Sequence, residues 1–161
     1  MKKIYIEAGI NHFGNLKEAK TILDYFLKSN FQNLTYMIHK KEFYSSQNKL
    51  GINFNLPKNF YTYALKKCHK KNKRLGLAVC QKKSFDDVSD LNFDFYKLLS
   101  IAINEEDLIK ELKKKKKPVF ISTGSKVTDK DITNCLKKFK SKKNLSLLHA
   151  PMTYDINELN L

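Results

Sequence analysis

The sequence predicts an α/β fold built on a parallel sheet of about six βα units. Short apolar runs alternate along the chain with longer amphipathic segments. Because the runs are apolar through their length, they are typical of strands that helices cover on both faces, in a parallel sheet with right-handed crossovers. The 161 residues have room for one domain,. A closed eight-stranded β/α barrel needs roughly 200 residues or more, so the chain is about two βα units short of one.

Clear local signals mark the first strand, the first helix and the second strand. Residues 3–9 form a β-type run that stops at Gly9,. Asn15 is expected to cap a helix that extends to about residue 29, in which apolar residues recur at helical spacing on one face,. Residues 34–38 are the second predicted strand.

A polar connection and two further strands follow. Residues 43–56 are rich in Asn and Ser, and Pro57 opens the next helix,. The third strand is predicted at residues 75–80 and the fourth at residues 95–100,. A short helix is expected between them, over residues 84–90.

The last part of the chain repeats the alternation twice. Asn104 is expected to cap a helix that ends in the lysine run 113–117, whose cations complement the helix dipole without any ligand,. The fifth strand is predicted at residues 118–122 and the sixth at residues 145–149, with a helix over residues 128–139 between them,.

The charge balance is the strongest feature of the composition. With 31 basic and 16 acidic residues the formal net charge is +15, which attracts phosphates, nucleic acid and anionic lipid,. Every basic residue except Arg74 is a lysine, whereas surfaces that read bases favour arginine,. We therefore interpret most lysines as solvated surface residues and disfavour nucleic acid as a partner.

The cysteines and the apolar runs indicate the compartment. No apolar stretch approaches the roughly 20 residues that span a bilayer, and the N-terminus lacks the pattern of a secretory signal. Cys68, Cys80 and Cys135 lie far apart without metal-motif spacing, and an odd number argues against a disulfide framework,. We expect a reduced, cytoplasmic protein with no membrane partner.

Polar side chains stand at the predicted carboxyl ends of the strands, where a β/α barrel has its active site. The set is Glu7, Asn11, His12, Lys97, Ser100, Ser122, Thr123 and His149. A lysine with nearby hydroxyls suits a phosphate or a carboxylate. Since an unpaired carboxylate within an apolar strand is costly, Lys97 is the candidate partner of Glu7.

These residues also have structural alternatives. Lys97 can extend along the sheet and leave its ammonium at the surface, and residues 122–124 can be only a turn and helix cap. His149 can be a hydrogen-bonded structural histidine at a strand end. His39 and His69 lie in polar, lysine-rich surroundings and are expected to be solvated.

Four segments carry specific patterns in a fixed order. Residues 6–16, I-E-A-G-I-N-H-F-G-N-L, are similar to an opening-strand pattern A-E-I-G-x-N-H-x-G-x. Residues 96–100 are similar to a fourth strand K-I-A-S, and residues 117–124 to a fifth strand K-P-V-I-L-S-T-G. Residues 147–149, followed by Tyr154, are similar to a sixth strand L-L-H-C-x-x-x-Y. Together the four resemble the catalytic barrel of the N-acetylneuraminate (sialic acid) synthase family.

The resemblance implies a fold and an activity. The fold is a partial TIM-type β/α barrel, a single domain over residues 1–161 that lacks about two βα units and the family's C-terminal antifreeze-like domain,. Family members condense phosphoenolpyruvate with an N-acylated amino sugar to a sialic acid-like sugar. They use a divalent metal such as manganese.

The resemblance also implies roles for individual residues. Glu7 falls on the glutamate that handles the sugar and is the expected catalytic residue. Lys97, Ser100 and Ser122 fall on positions that hold phosphoenolpyruvate. The full set of expected substrate-binding residues is Asn11, His12, Lys97, Ser100, Ser122 and Tyr154.

The chain departs from the family at positions that matter for turnover. A second-strand lysine is replaced by Thr35, an asparagine after the sixth strand by Met152, and the S-T-P-F of the third strand by residues 78–81. The two metal-binding histidines belong to strands beyond Leu161, so no metal ligand is expected here. We expect an activity that is impaired or that depends on a second copy or a complementing chain. The alternative is a non-catalytic relative that keeps an anion pocket and serves as a binding or assembly partner.

Overall fold

Strands and helices alternate through the chain in the predicted order. The structure is a computed structural model, which describes residues 3–39, 53–124, 127–139 and 143–150. The elements are β1 (Tyr5–Gly9), α1 (Leu16–Lys28), β2 (Asn33–Ile38), α2 (Lys58–Lys70), β3 (Arg74–Val79), α3 (Lys82–Asp86), β4 (Phe95–Leu98), α4 (Glu106–Lys114), β5 (Val119–Thr123), α5 (Asp129–Lys138) and β6 (Leu145–His149). One 3-10 turn, Ser100–Ala102, follows β4.

The strands form one curled parallel sheet with the spatial order β1-β2-β3-β4-β5-β6. Strands β1 and β5 are four positions apart, which in a flat sheet is about 19 Å. Nevertheless the ring of Tyr5 in β1 lies 4.8 Å from that of Phe120 in β5. The sheet is therefore a half-barrel, and the predicted partial TIM-type β/α barrel is confirmed.

The two edges of the half-barrel are β1 and β6. Within the described residues β1 pairs with β2 alone and β6 with β5 alone. Side chains at both edges are partly open to solvent, with Ile4 54% and Leu147 48% exposed. Unpaired strand edges of this kind are available for pairing with another chain.

The main core lies between the convex face of the sheet and the helices. Strand β2 is buried along its whole length, as its apolar run predicts,. The buried ring of Tyr36 donates its hydroxyl hydrogen to the Ala19 carbonyl oxygen at 2.7 Å, which fixes α1 against the sheet,. The described helices are amphipathic, and none of them has the length and apolar character of a membrane span.

Two helices have side-chain caps at their first turn, and one predicted cap is wrong. The Asn15 side chain accepts hydrogen bonds from the first turn of α1, and Thr128 forms a capping box with Asp131 at α5,. The prediction that Asn104 caps α4 is wrong, because Glu105 holds the cap position. The Asn104 amide instead donates to the Asp131 carboxylate at 2.9 Å and so ties α4 to α5.

Other differences from the predicted elements are local. Strand β4 ends at Leu98, because the backbone turns there into the 3-10 segment. The helix expected over residues 84–90 begins earlier, at Lys82. His39 is buried beside Phe54, not solvated, and of the polar connection 43–56 only residues 53–56 lie within the described chain.

Lys73 is a buried exception among the lysines. Its ammonium donates to the carbonyl oxygens of Phe26, Ser29 and Phe31 at 3.1, 2.6 and 2.6 Å. These carbonyls belong to the end of α1 and the loop behind it, where the helix leaves acceptors without an intrahelical donor. Lys73 therefore fastens the end of α1 to the start of β3.

An aromatic cluster fills the concave face at the amino ends of the strands. The rings of Tyr5, Phe95 and Phe120 meet edge to face with centroids 4.8 to 5.7 Å apart,. The Phe95 ring lies directly on the backbone of Gly76, where a Cβ atom would come within 2.1 Å of it. These three rings form an aromatic floor at the amino ends of the strands.

Gly76→Ala tests the contact that the floor requires. The new methyl group cannot fit beneath the Phe95 ring, so the free energy of unfolding is expected to fall by about 1–3 kcal/mol. Urea unfolding followed by circular dichroism measures the loss. In a Phe95→Leu background the same change should cost much less, and an equal loss in both backgrounds would contradict the steric explanation.

Candidate functional site

The candidate site lies on the concave face, above the aromatic floor. Register places Lys97 of β4 beside Phe120 of β5, and Ser122 stands two residues further along β5 on the same face,. Glu7 occupies the corresponding level of β1, two residues beyond Tyr5. The polar residues thus form the layer next to the carboxyl ends, where β/α barrels have their active sites.

An ion pair across the concave face joins Glu7 and Lys97. The Lys97 Nζ lies 3.3 Å from the Glu7 Oε1, although β1 and β4 are not neighbours in the sheet. The Lys97 side chain is 18% exposed and the Glu7 side chain 44%. The predicted partnership of these residues is present in the structure, and the lysine is held inside the half-barrel.

Two buried hydroxyls near this pair lack hydrogen-bond partners within the described residues. They are Thr35 Oγ1 in β2 and Ser122 Oγ in β5. Thr35 is the register neighbour of Glu7. A buried hydroxyl without a partner costs about 1–3 kcal/mol, so such groups are typical of places where a ligand or an ordered water completes the structure.

The ends of β4, β5 and β6 meet closely around Gly124. A Cβ atom at Gly124 would lie 2.7 Å from the Ser100 Oγ and 3.6 Å from the Ala150 carbonyl oxygen. Ser100 opens the 3-10 turn after β4 and therefore stands beside the end of β5. The Thr123 hydroxyl donates to the Leu148 carbonyl oxygen at 3.0 Å, which fastens β5 to β6.

The turn after β1 separates the two polar residues of the opening motif. Asn11 is exposed, while His12 is fully buried. The His12 Nδ1 accepts the Gly14 N–H at 3.0 Å, and burial lowers the pKa of His12 to about 4. The imidazole is therefore neutral near pH 7 and holds the turn. That either residue contacts substrate stays a prediction.

The remaining predicted residues are not gathered at this centre. His149 is exposed at the end of β6, opposite Thr123. Tyr154 and Met152 lie outside the described residues. The sequence marks Thr35 only as the residue in place of the family's second-strand lysine, and the strand register adds that it stands beside Glu7.

The described residues do not fit a catalytic metal. They contain no group of three or more His, Cys, Asp or Glu side chains that could hold an ion. His12 is buried in its turn and His149 is exposed on β6, so the two histidines of the predicted site do not face a common point. No catalytic step is therefore assigned to a metal within this part of the chain.

The curled parallel sheet defines a β/α-barrel protein, with a covered lysine facing a carboxylate at the carboxyl ends of its strands. The chain belongs to the NeuB family, whose sequence pattern matches residues 7–161. The predicted resemblance to sialic acid synthases is thereby confirmed. No curated protein matches the chain by sequence.

Solved structures share the fold at low sequence identity. The N-acetylneuraminic acid (sialic acid) synthetase from Leptospira borgpetersenii serovar Hardjo-bovis, in complex with citrate, has a TM-score of 0.81 and 21% identity, over 98% of this chain and 57% of its own. The spore coat polysaccharide biosynthesis protein spsE from Bacillus subtilis has a TM-score of 0.74 and 20% identity, over 94% and 44%. A truncated 3-deoxy-D-arabino-heptulosonate 7-phosphate synthase from Thermotoga maritima has a TM-score of 0.64 and 11% identity, over 95% of this chain and 53% of its own. The chain thus spans about half the length of these relatives.

Paired threonine substitutions test whether the unpartnered hydroxyl contributes to folding. Thr35→Val removes a hydroxyl without a partner, so the free energy of unfolding is expected to stay constant or rise by about 1 kcal/mol,. Thr123→Val is the matched control and removes a hydroxyl that donates to β6, so it should cost about 1 kcal/mol,. Urea titrations compare the two. A larger loss for Thr35→Val than for Thr123→Val would show that the Thr35 hydroxyl is bonded in the folded protein.

Proposed function

We propose that this chain binds a small phosphate- or carboxylate-bearing anion of the phosphoenolpyruvate type and takes part in a sialic acid synthase-like condensation. The observation that carries the proposal is the covered Lys97 ammonium on the concave face, beside Glu7 and the Ser122 hydroxyl. Membership of the NeuB family supports the reaction class. The Leptospira synthetase is a complex with citrate, and citrate is a carboxylate anion.

The proposed ligand suits the chemistry of these groups. Phosphoenolpyruvate carries a carboxylate and a phosphate, and a lysine ammonium with hydroxyl donors forms charge-assisted hydrogen bonds to such oxygens. Lys97, Ser100 and Ser122 would supply these donors. Glu7 would accept a hydrogen bond from the amino sugar, with Asn11, His12 and Tyr154 as further substrate contacts.

Complete turnover requires groups from outside the described residues. The condensation acts on a carbonyl that a divalent metal such as manganese would polarise, and the described chain offers no fitting ligand set,. We propose that a second copy or a complementing chain supplies the missing groups at the open edges β1 and β6. A reduced cytoplasmic setting agrees with three buried free thiols, Cys68, Cys80 and Cys135.

The second candidate function is a non-catalytic relative. Thr35, a neutral residue in place of the family's second-strand lysine, favours it, since anion binding then rests on Lys97 with one less cation. Such a protein would keep the anion pocket and serve as a binding or assembly partner. Turnover in the presence of a complementing chain separates the two candidates.

Lys97→Ala tests the location of the anion site. Removal of the covered cation is expected to weaken the binding of phosphoenolpyruvate about tenfold or more, because the charge-assisted bonds to its oxygens are lost. The matched control is Lys114→Ala, which removes another lysine paired with a glutamate, but one on the surface of α4. Calorimetric titration at constant salt measures both. Equal weakening by the two variants would assign binding to surface lysines.

The isolated chain is expected to be a poor synthase. The purified protein is incubated with manganese, phosphoenolpyruvate and N-acetylmannosamine, and phosphate release is followed. Turnover should stay far below about 1 per second. Thr35 stands where the family has a lysine, and the described site has no set of metal ligands. Turnover in the ordinary enzyme range would show that one copy of the chain is sufficient.

A further inference from the structure

The candidate site contains one positive and one negative side chain, Lys97 and Glu7, which pair with each other. Lys97 is the cation that the proposed function assigns to the anion, and the structure already gives it a negative partner, Glu7, at 3.3 Å. Within the described residues neither side chain makes a second ion pair, and the register neighbour of Glu7 is the neutral Thr35. The pair as a whole therefore carries no net charge.

The geometry of the pair allows exchange. A distance of 3.3 Å is longer than the roughly 2.7–2.9 Å of a tight charge-assisted hydrogen bond,. The Glu7 side chain is 44% exposed, so water can hydrate its carboxylate when it separates from the ammonium. The Lys97 side chain is only 18% exposed and remains inside the half-barrel. Solvent access to the Glu7 carboxylate screens its attraction to the ammonium and weakens the pair,. An anion with two negative charges can therefore displace the single carboxylate.

We propose that Glu7 is an internal competitor for Lys97, which holds the ammonium while the site is empty and is released when an anion binds. The proposal rests on the proposed function, since Lys97 must be the anion-binding cation. Its consequence is a coupling between two ligands of the same site. An anion on Lys97 frees the Glu7 carboxylate to accept a hydrogen bond from a hydroxylated second ligand, and before that event the carboxylate is engaged.

The coupling assigns Glu7 a positioning role that is distinct from simple contact with substrate. If Glu7 only repelled the anion through space, its effect would persist without Lys97. If it competes for the ammonium, its effect depends on Lys97 being present. A double-mutant cycle over the two positions separates these cases, because the interaction term reports only what the two side chains do together.

The experiment titrates the full chain with inorganic phosphate and then with phosphoenolpyruvate, and follows the amide signals of β1, β4 and β5 by NMR. The ionic strength is held at about 0.15 M so that the surface lysines are screened equally throughout. The variants are Glu7→Gln, Lys97→Gln and the double variant. Glu111→Gln is the matched control, since it removes a carboxylate from another lysine–glutamate pair, on α4.

The expected result is an affinity increase of about fivefold for Glu7→Gln, the size of one unit charge near a partly exposed site. The increase should vanish in the Lys97→Gln background, and Glu111→Gln should bind as the unchanged protein does. An equal increase with and without Lys97 overturns the competition. No increase for Glu7→Gln, while Lys97→Gln weakens binding, also overturns it but leaves the proposed anion site intact. If Lys97→Gln binds as tightly as the unchanged protein, both the site and the competition are overturned.

Discussion

The curl of the sheet is the constraint on which the rest of the structure depends. It is held on the inside by edge-to-face contacts of Tyr5 in β1 with Phe95 and Phe120, which stand on β4 and β5, neighbouring strands that are distant from β1 in the sheet,. The contacts are possible because Gly76 has no side chain beneath the Phe95 ring. In a flat sheet β1 and β4 would lie about 14 Å apart, and Glu7 would not meet Lys97.

The concave face of the half-barrel has two layers of side chains, one aromatic and one polar. The aromatic layer at the amino ends of the strands is packed edge to face, and it contributes stability,. The layer at the carboxyl ends contains the Thr35 and Ser122 hydroxyls, which have no partner among the described residues, and an ion pair at 3.3 Å. Unsatisfied buried groups reduce stability, and these two hydroxyls lie in the layer to which we assign the proposed anion site,.

In the part of the chain that the structure describes, several lysines stabilise the fold. Lysines at the ends of α4 and α5 pair with nearby carboxylates or complement the helix dipoles, as with Lys114–Glu111 and Lys138–Glu106,. Lys73 is buried and fastens the end of α1. Net charge alone therefore says little about the ligand, and Lys97, the cation that we propose for the anion site, is distinguished from the other lysines by its place in the fold.

The sequence by itself determined the alternation of strands and helices, the cap at Asn15, and the strands that carry Glu7, Lys97 and Ser122, because these depend on local periodicity and backbone hydrogen bonding,. It also made Lys97 the candidate partner of Glu7, since an apolar strand seldom holds an unpaired carboxylate, and the curl of the sheet decided that the two side chains meet,. Only the tertiary structure decided that Asn104 bridges to Asp131. It alone decided that His12 is buried and that Thr35 stands beside Glu7. These facts arise from strand register and from packing between segments distant in the chain, and no local pattern encodes them.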